Sequence, residues 1–289
     1  MRILKPLPHR ILHANRRLPR KDMTLVAGFR CKNGVVICAD TQHTGTYVKF
    51  VAPKLWTDRN RVIVAGACTD VTYLKMAVDE VIERFENLAR WTESSVKKAI
   101  SDALAKVYKA IVTAFDIQDR ERPQLYLMMA VRLDDWKAIL IKTSETAVAI
   151  IDDFDFIGAG EEVARLLMSP FYDGDLRVTE MQTIAAYCFR FAKASGSWSG
   201  GDTHIGTVFD GNPQVRYAHP AYINRDKEIV PGHILNQLAP ALSAAWNVNV
   251  VPEEFEKRLA TLVDWLRNLR ERQEKVSKPD AFISNRPKP

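Results

Sequence analysis

Residues 24–40 read TLVAGFRCKNGVVICAD. Two short apolar runs, residues 24–29 and 35–39, are rich in residues that favour β-strands. Between them lies Lys32-Asn33-Gly34, and Asn-Gly is the strongest short-range signal for a hairpin turn. The stretch therefore predicts a β-hairpin, with Asp40 at the end of its second strand and Thr24 at the start of its first.

The rest of the chain is predicted to alternate between groups of strands and groups of helices. A second strand pair flanks the turn at residues 58–60, and apolar residues then recur at helical spacing over 71–88 and 96–111. Further strands are predicted at 124–132, 136–142 and 147–151. A helix capped by Thr179 and Gln182 then runs to about residue 193, and two closing strands follow at 204–209 and 214–217. Because the strands pair locally, this order favours stacked antiparallel sheets covered by helices over a doubly wound parallel sheet.

The formal charge of +6 is confined to the first 22 residues, which hold seven basic residues and one acidic residue. Residues 23–289 are therefore formally neutral, which argues against a nucleic-acid binder. No apolar run approaches the roughly 18 residues that span a bilayer. The four cysteines form no CxxC pair and no zinc-type cluster, so we expect no metal or cofactor and a reducing, cytoplasmic location.

We divide the chain into four parts from these patterns. Residues 1–22 form a basic extension, either a propeptide or the product of a misassigned start. Residues 23–228 form the main domain, residues 229–275 a helical extension with an amphipathic helix from Glu253 to about Glu274, and residues 276–289 a polar tail expected to be disordered.

Three further motifs follow the first in order. They are Lys54-Leu55 after a turn at Gly45, the run AGACTD at 65–70 before the first predicted helix, and Ser199-Gly200-Gly201 after a long helix. With residues 24–40, they resemble a proteasome β subunit and its bacterial ring-forming relatives over roughly residues 23–220. The resemblance implies a four-layer αββα sandwich of the N-terminal-nucleophile hydrolases, an α+β fold, here with an extra C-terminal helix.

The resemblance also implies a role for each of six residues. Thr24 matches the nucleophile, Asp40 and Lys54 its charged partners, and Gly66 the amide of the oxyanion hole. Ser199 matches a supporting hydroxyl, and Cys68 a wall of the substrate pocket. Two positions depart from the family pattern, since Ala159 stands where a serine is usual and Gly196 where an aspartate is usual. Asp202 is a candidate to replace that aspartate.

The chemistry requires Thr24 to be the first residue of the working chain. A threonine hydroxyl needs a nearby base, and an N-terminal threonine supplies one in its own α-amine, whereas an amide nitrogen is not basic. Met23 stands where self-cleaving propeptides end in glycine, so self-cleavage is disfavoured. We expect translation to start at Met23 and the initiator methionine to be removed, which exposes Thr24.

These considerations predict a threonine peptidase that cleaves peptides or proteins, works as a homo-oligomeric ring and needs no cofactor. An ATPase partner is possible. Two alternatives stay open, a non-catalytic scaffold subunit of the same fold and an amidohydrolase acting on small molecules.

Overall fold

A computed structural model describes most of the main domain. The described residues are 24–44, 49–58, 60–68, 70–115, 124–158, 160–169, 171–195 and 200–218, with Glu256, Lys257, Ala260 and Asp264. The basic extension, the polar tail and most of the helical extension lie outside these residues, so their predicted boundaries stay predictions. The four C-terminal residues described are helical and exposed.

Twelve strands and four helices follow one another in the described part of the main domain. In chain order they are β1 (Leu25–Cys31), β2 (Gly34–Asp40), β3 (Gln42–Thr44), β4 (Lys49–Val51), β5 (Leu55–Thr57), β6 (Val62–Cys68), α1 (Val71–Glu86), α2 (Glu93–Phe115), β7 (Leu125–Arg132), β8 (Ala138–Ser144), β9 (Ala147–Ile151), β10 (Phe154–Gly158), α3 (Glu161–Met168), α4 (Val178–Ser195), β11 (Thr203–Phe209) and β12 (Val215–Ala218).

The strands form two five-stranded antiparallel sheets and one small hairpin. The first sheet has the order β10-β1-β2-β11-β12, the second has the order β5-β6-β7-β8-β9, and β3 pairs with β4. In the predicted hairpin, Cys31 pairs with Gly34 and Val26 with Ala39. This register brings the beginning of β1 beside the end of β2.

Three apolar cores define four layers. One core lies between the two sheets and includes Val26, Ile37 and Met128. A second joins α1 and α2 to the outer face of the second sheet, and a third joins α3 and α4 to the outer face of the first. The predicted αββα sandwich is therefore confirmed. Among the described helices, none is both long and apolar enough to cross a membrane.

Helix starts show where local sequence signals succeed and where they fail. Asp70 is of the residue type that favours a helix start, and it caps α1, because its carboxylate accepts from the amides of Thr72 and Tyr73. The predicted capping box of α4 is wrong, since the helix begins at Val178 and Thr179 already lies inside it. The side chain of Gln182 instead donates to Thr207 on β11, which joins helix and sheet.

Candidate active site

Thr24 lies directly before β1 and is 5% exposed. On one side it packs against Gly158, the last residue of β10, which pairs with Leu25. Gly158 has a φ of +98°, and a Cβ there would lie 2.1 Å from the carbonyl oxygen of Thr24. Only glycine therefore lets β10 lie against Thr24 in this way.

Asp40 ends β2 and is fully buried. Its Oδ1 accepts from the Thr24 hydroxyl at 2.7 Å and from the Leu25 amide at 3.1 Å. Its Oδ2 accepts from the Gly200 amide at 3.0 Å. A buried carboxylate needs such donors to remain charged, and these bonds fix both of its oxygens.

Lys54 enters the site from the residue before β5 and is 1% exposed. Its Nζ lies 2.7 Å from Asp40 Oδ1 and also donates to Thr24 Oγ1 and to the Gln42 carbonyl. Burial lowers the pKa of Lys54, while the Asp40 carboxylate acts in the opposite direction. The Thr24 hydroxyl thus donates to a carboxylate and accepts from an amine, so a cation faces the oxygen that would attack.

Gly66 lies on β6, beside this cluster. The last paired residues of β5 and β6 at this end are Leu55 and Ala65, so continuing the register places Lys54 opposite Gly66. A Cβ on Gly66 would lie 2.4 Å from Leu74 of α1 and 2.8 Å from Leu127 of β7. The missing side chain therefore lets α1 pack closely on the sheet.

Cys68 is the last residue of β6 and is partly buried. It packs against the core under α1 and α2, and its Sγ accepts from the Asp70 amide at 3.5 Å. Its predicted place in a substrate pocket stays a prediction, as does the oxyanion role of Gly66.

The described residues do not include three positions used in the sequence predictions, Ser199, Ala159 and Gly196. Asp202 is described and exposed. Its amide donates to Thr41 Oγ1 and its carbonyl accepts from the Thr41 amide. The replacement of the usual aspartate by the Asp202 carboxylate stays a prediction.

Two backbone groups in the cluster were not predicted from the sequence, the Gly200 amide on Asp40 and the Gln42 carbonyl on Lys54. A backbone group leaves no residue-type signal, although the Ser-Gly-Gly motif did point to the right loop. Among the described residues, no group of three or more His, Cys, Asp or Glu side chains could hold a metal ion.

Comparisons with known proteins agree with this architecture. A family model described as Proteasome subunit matches residues 23–208. A proteasome subunit alpha of Methanococcus vannielii is 26% identical over 168 residues, which are 57% of this chain and 62% of the relative. One from Methanococcus maripaludis is 26% identical over 165 residues, with the same coverage. The match thus spans less than two thirds of these relatives' own length.

Solved structures show the same fold at low identity. Anbu (ancestral beta-subunit) from Yersinia bercovieri has a TM-score of 0.60 and 12% identity, covering 75% of this chain and 97% of that one. A mutant of Anbu from Hyphomicrobium sp. strain MC1 has a TM-score of 0.58 and 14% identity, covering 76% of this chain and 99% of that one.

Proposed function

Since this chain belongs to the proteasome subunit family, we propose that it is a threonine peptidase with Thr24 as its nucleophile. One observation carries the proposal. Thr24, Asp40 and Lys54 are mutually hydrogen-bonded and together nearly closed to solvent. Burying an ion pair around one hydroxyl is costly, and a strand-start threonine has no structural need for it. Polarising a nucleophile is a function that would justify this cost.

The proposed reaction proceeds in two stages. The Thr24 α-amine takes the hydroxyl proton while Oγ1 attacks the scissile carbonyl carbon, and Lys54 stabilises the developing charge on Oγ1. The Gly66 amide stabilises the oxyanion. The amide bond then breaks, the amine returns its proton to the leaving nitrogen, and an ester on Thr24 remains. Water hydrolyses that ester and restores the hydroxyl.

Maturation is part of the proposal. In the full chain the nitrogen of Thr24 belongs to a peptide bond with Met23 and is not a base. A free α-amine has a pKa of about 7.7–8.0, so a useful fraction is neutral near pH 7. We therefore place the functional start at Thr24, after translation from Met23 and removal of that methionine.

The proposal extends to substrates, assembly and location. We propose peptide or protein substrates, a homo-oligomeric ring in the cytoplasm and no cofactor, with an ATPase as a possible partner. The curated relatives are named as subunits of an assembly, which supports an oligomer. A monomer near the chain mass of 32.8 kDa in light scattering would contradict the ring.

A non-catalytic subunit is the second candidate function. The curated relatives are named alpha subunits, and Thr24 is internal in the full chain. If the working chain retains residues 1–23, the amine base does not exist and the site has only a structural role. A third candidate, an amidohydrolase for small molecules, would use the same nucleophile.

One experiment separates the three candidates. The chain is expressed from Met23, its start is determined by intact mass, and a panel of fluorogenic peptides and small amides is tested. Thr24→Ala and Thr24→Ser serve as a matched pair, because only serine keeps a hydroxyl. We expect peptide turnover that alanine abolishes and serine retains in part. A chain beginning at Thr24 with no turnover favours the non-catalytic subunit, and cleavage of small amides alone favours the amidohydrolase.

A further inference from the structure

Thr41 follows Asp40 directly and is 2% exposed. Its backbone and side chain are all engaged by neighbouring segments. The Thr41 amide donates to the Asp202 carbonyl at 3.0 Å, and the Asp202 amide donates to Thr41 Oγ1 at 2.8 Å. These two bonds clamp residue 202 onto the end of β2 from both sides.

The loop held by this clamp supplies a donor to the site. Gly201 has a φ of +69°, and a Cβ there would lie 2.4 Å from Thr41 Oγ1, so the loop lies directly on that hydroxyl. One residue earlier, Gly200 donates its amide to Asp40 Oδ2 at 3.0 Å and accepts from the Gln42 amide at 3.1 Å. The position of the Gly200 donor therefore depends on contacts with residues 41 and 42.

Residues 41 and 42 also form hydrogen bonds to Lys54 and to the segment before it. The Thr41 carbonyl accepts from the Ala52 amide at 2.9 Å, which fixes the chain two residues before Lys54. The Gln42 carbonyl accepts from Lys54 Nζ. Residues 41–42 thus connect the loop at 200–202 to the segment that carries Lys54. The loop and this segment each supply a donor to the Asp40 carboxylate, namely the Gly200 amide and Lys54 Nζ.

We propose that Thr41 is a positioning residue, whose hydroxyl holds the 200–202 loop so that the Gly200 amide fixes Asp40 against Thr24 and Lys54. This role rests on the proposed peptidase function for its effect on turnover, but the geometry it predicts can be tested independently of activity. The Thr41 hydroxyl accepts from the backbone of Asp202, so its proposed effect on the reaction is indirect.

The first test measures hydrogen–deuterium exchange at the amides of residues 200–202 in the full chain. Thr41→Val removes the hydroxyl and keeps the shape, whereas Thr41→Ser keeps the hydroxyl. Thr207→Val is the control, because Thr207 is equally buried and hydrogen-bonded on β11 but bonds to Gln182 of α4. We expect faster exchange of the Gly200 and Asp202 amides only in Thr41→Val. Unchanged exchange there, or an equal rise in the Thr207 variant, overturns the proposal.

The second test is kinetic and uses the chain that begins at Thr24. Small displacements of catalytic groups cost up to about 100-fold in rate, so we expect Thr41→Val to lower kcat by roughly 10- to 100-fold with KM little changed. Thr41→Ser should restore most of kcat, and Thr207→Val should keep it. An unchanged kcat in Thr41→Val, or no rescue by serine, overturns the role. If the wild type shows no turnover but the exchange pattern is as expected, the peptidase function fails and the positioning by Thr41 stands.

Discussion

Lys54 Nζ lies 2.7 Å from Asp40 Oδ1, and neither side chain exposes more than 1% of its surface. Both charged groups are buried away from water. The stability of each charge therefore depends on the other and on the hydrogen-bond donors and acceptors around the pair. The pair is therefore both the electrostatic centre of the site and a point at which a single substitution leaves an uncompensated buried charge.

We predict that Lys54→Met and Asp40→Asn each destabilise the fold by about 3–5 kcal/mol, because each leaves one buried charge unpaired. The double variant should recover part of that loss, since it removes both charges. Turnover should fall at least about 100-fold in all three, because the cation or its anchor is missing. Urea unfolding and peptide turnover measure the two effects. A double variant less stable than both single variants would contradict the ion-pair explanation.

The pH dependence of turnover should have two limbs. Below about pH 8 the α-amine of Thr24 becomes protonated and cannot act as a base, so the rate falls as pH decreases. Burial lowers the pKa of Lys54 from its ordinary 10.5, so as pH rises the cation beside Thr24 loses its proton before pH 10.5 is reached. The alkaline limb should therefore lie below pH 10.5. Profiles of kcat for the wild type and Thr24→Ser should share both limbs, and a rate still rising at pH 10.5 would exclude this role for Lys54.

Gly158→Ala should impair both stability and turnover, and Gly160→Ala provides its matched control. The two glycines have similar φ values, +98° and +91°, so alanine is strained at both by about 1–2 kcal/mol. A Cβ at 158 also meets the Thr24 carbonyl at 2.1 Å, whereas no atom of the described residues lies within 4 Å of one at 160. Unfolding and turnover should therefore change more in Gly158→Ala. Equal changes in the two variants would mean that the contact with Thr24 is easily relieved.

Gly66→Ala tests why glycine occupies the position next to Lys54. The added methyl meets Leu74 and Leu127, so we expect a loss of about 1–3 kcal/mol as α1 moves away from the sheet. Gly206→Ala is the control, since the three atoms nearest its methyl all belong to the side chain of Ile63, whereas the methyl at 66 would also lie 3.2 Å from the Tyr126 carbonyl oxygen. Thermal unfolding and the KM for a peptide distinguish the explanations. Unchanged stability with a raised KM would instead support close approach by the substrate backbone.

The hairpin made part of the site predictable from sequence. Asn-Gly fixed the turn, and antiparallel pairing then required the start of β1 and the end of β2 to meet, which brings Thr24 to Asp40. Lys54 came from the family resemblance and not from pairing, because residues 45–53 carry no comparable signal. The fold class followed from the grouping of strands, because strands that are adjacent in the sequence pair with each other and can be recognised from local sequence patterns.

Other parts depended on tertiary contacts that no local pattern contains. The strand β10 is five residues long, and its identity depends on pairing with β1, which is more than 120 residues earlier in the chain. The Gly200 amide is 160 residues from Asp40, and a backbone donor has no residue preference to detect. Thr179 and Gln182 have the spacing of a cap, but α4 begins one residue earlier and Gln182 bonds to Thr207. Tertiary contacts overrode the local preference there.

The separation of the Asp40 partners along the chain has a consequence for folding. Thr24, Asp40 and Lys54 lie within 31 consecutive residues, so short loops bring them together at small entropic cost. The Gly200 amide arrives only when β11, near the end of the domain, joins β2. Contacts of long sequence separation form at greater entropic cost, so we expect this donor to be added late. A nascent or truncated chain would then contain Thr24, but the Asp40 carboxylate would be hydrogen-bonded through one oxygen only. The complete catalytic cluster would form only when the domain is complete.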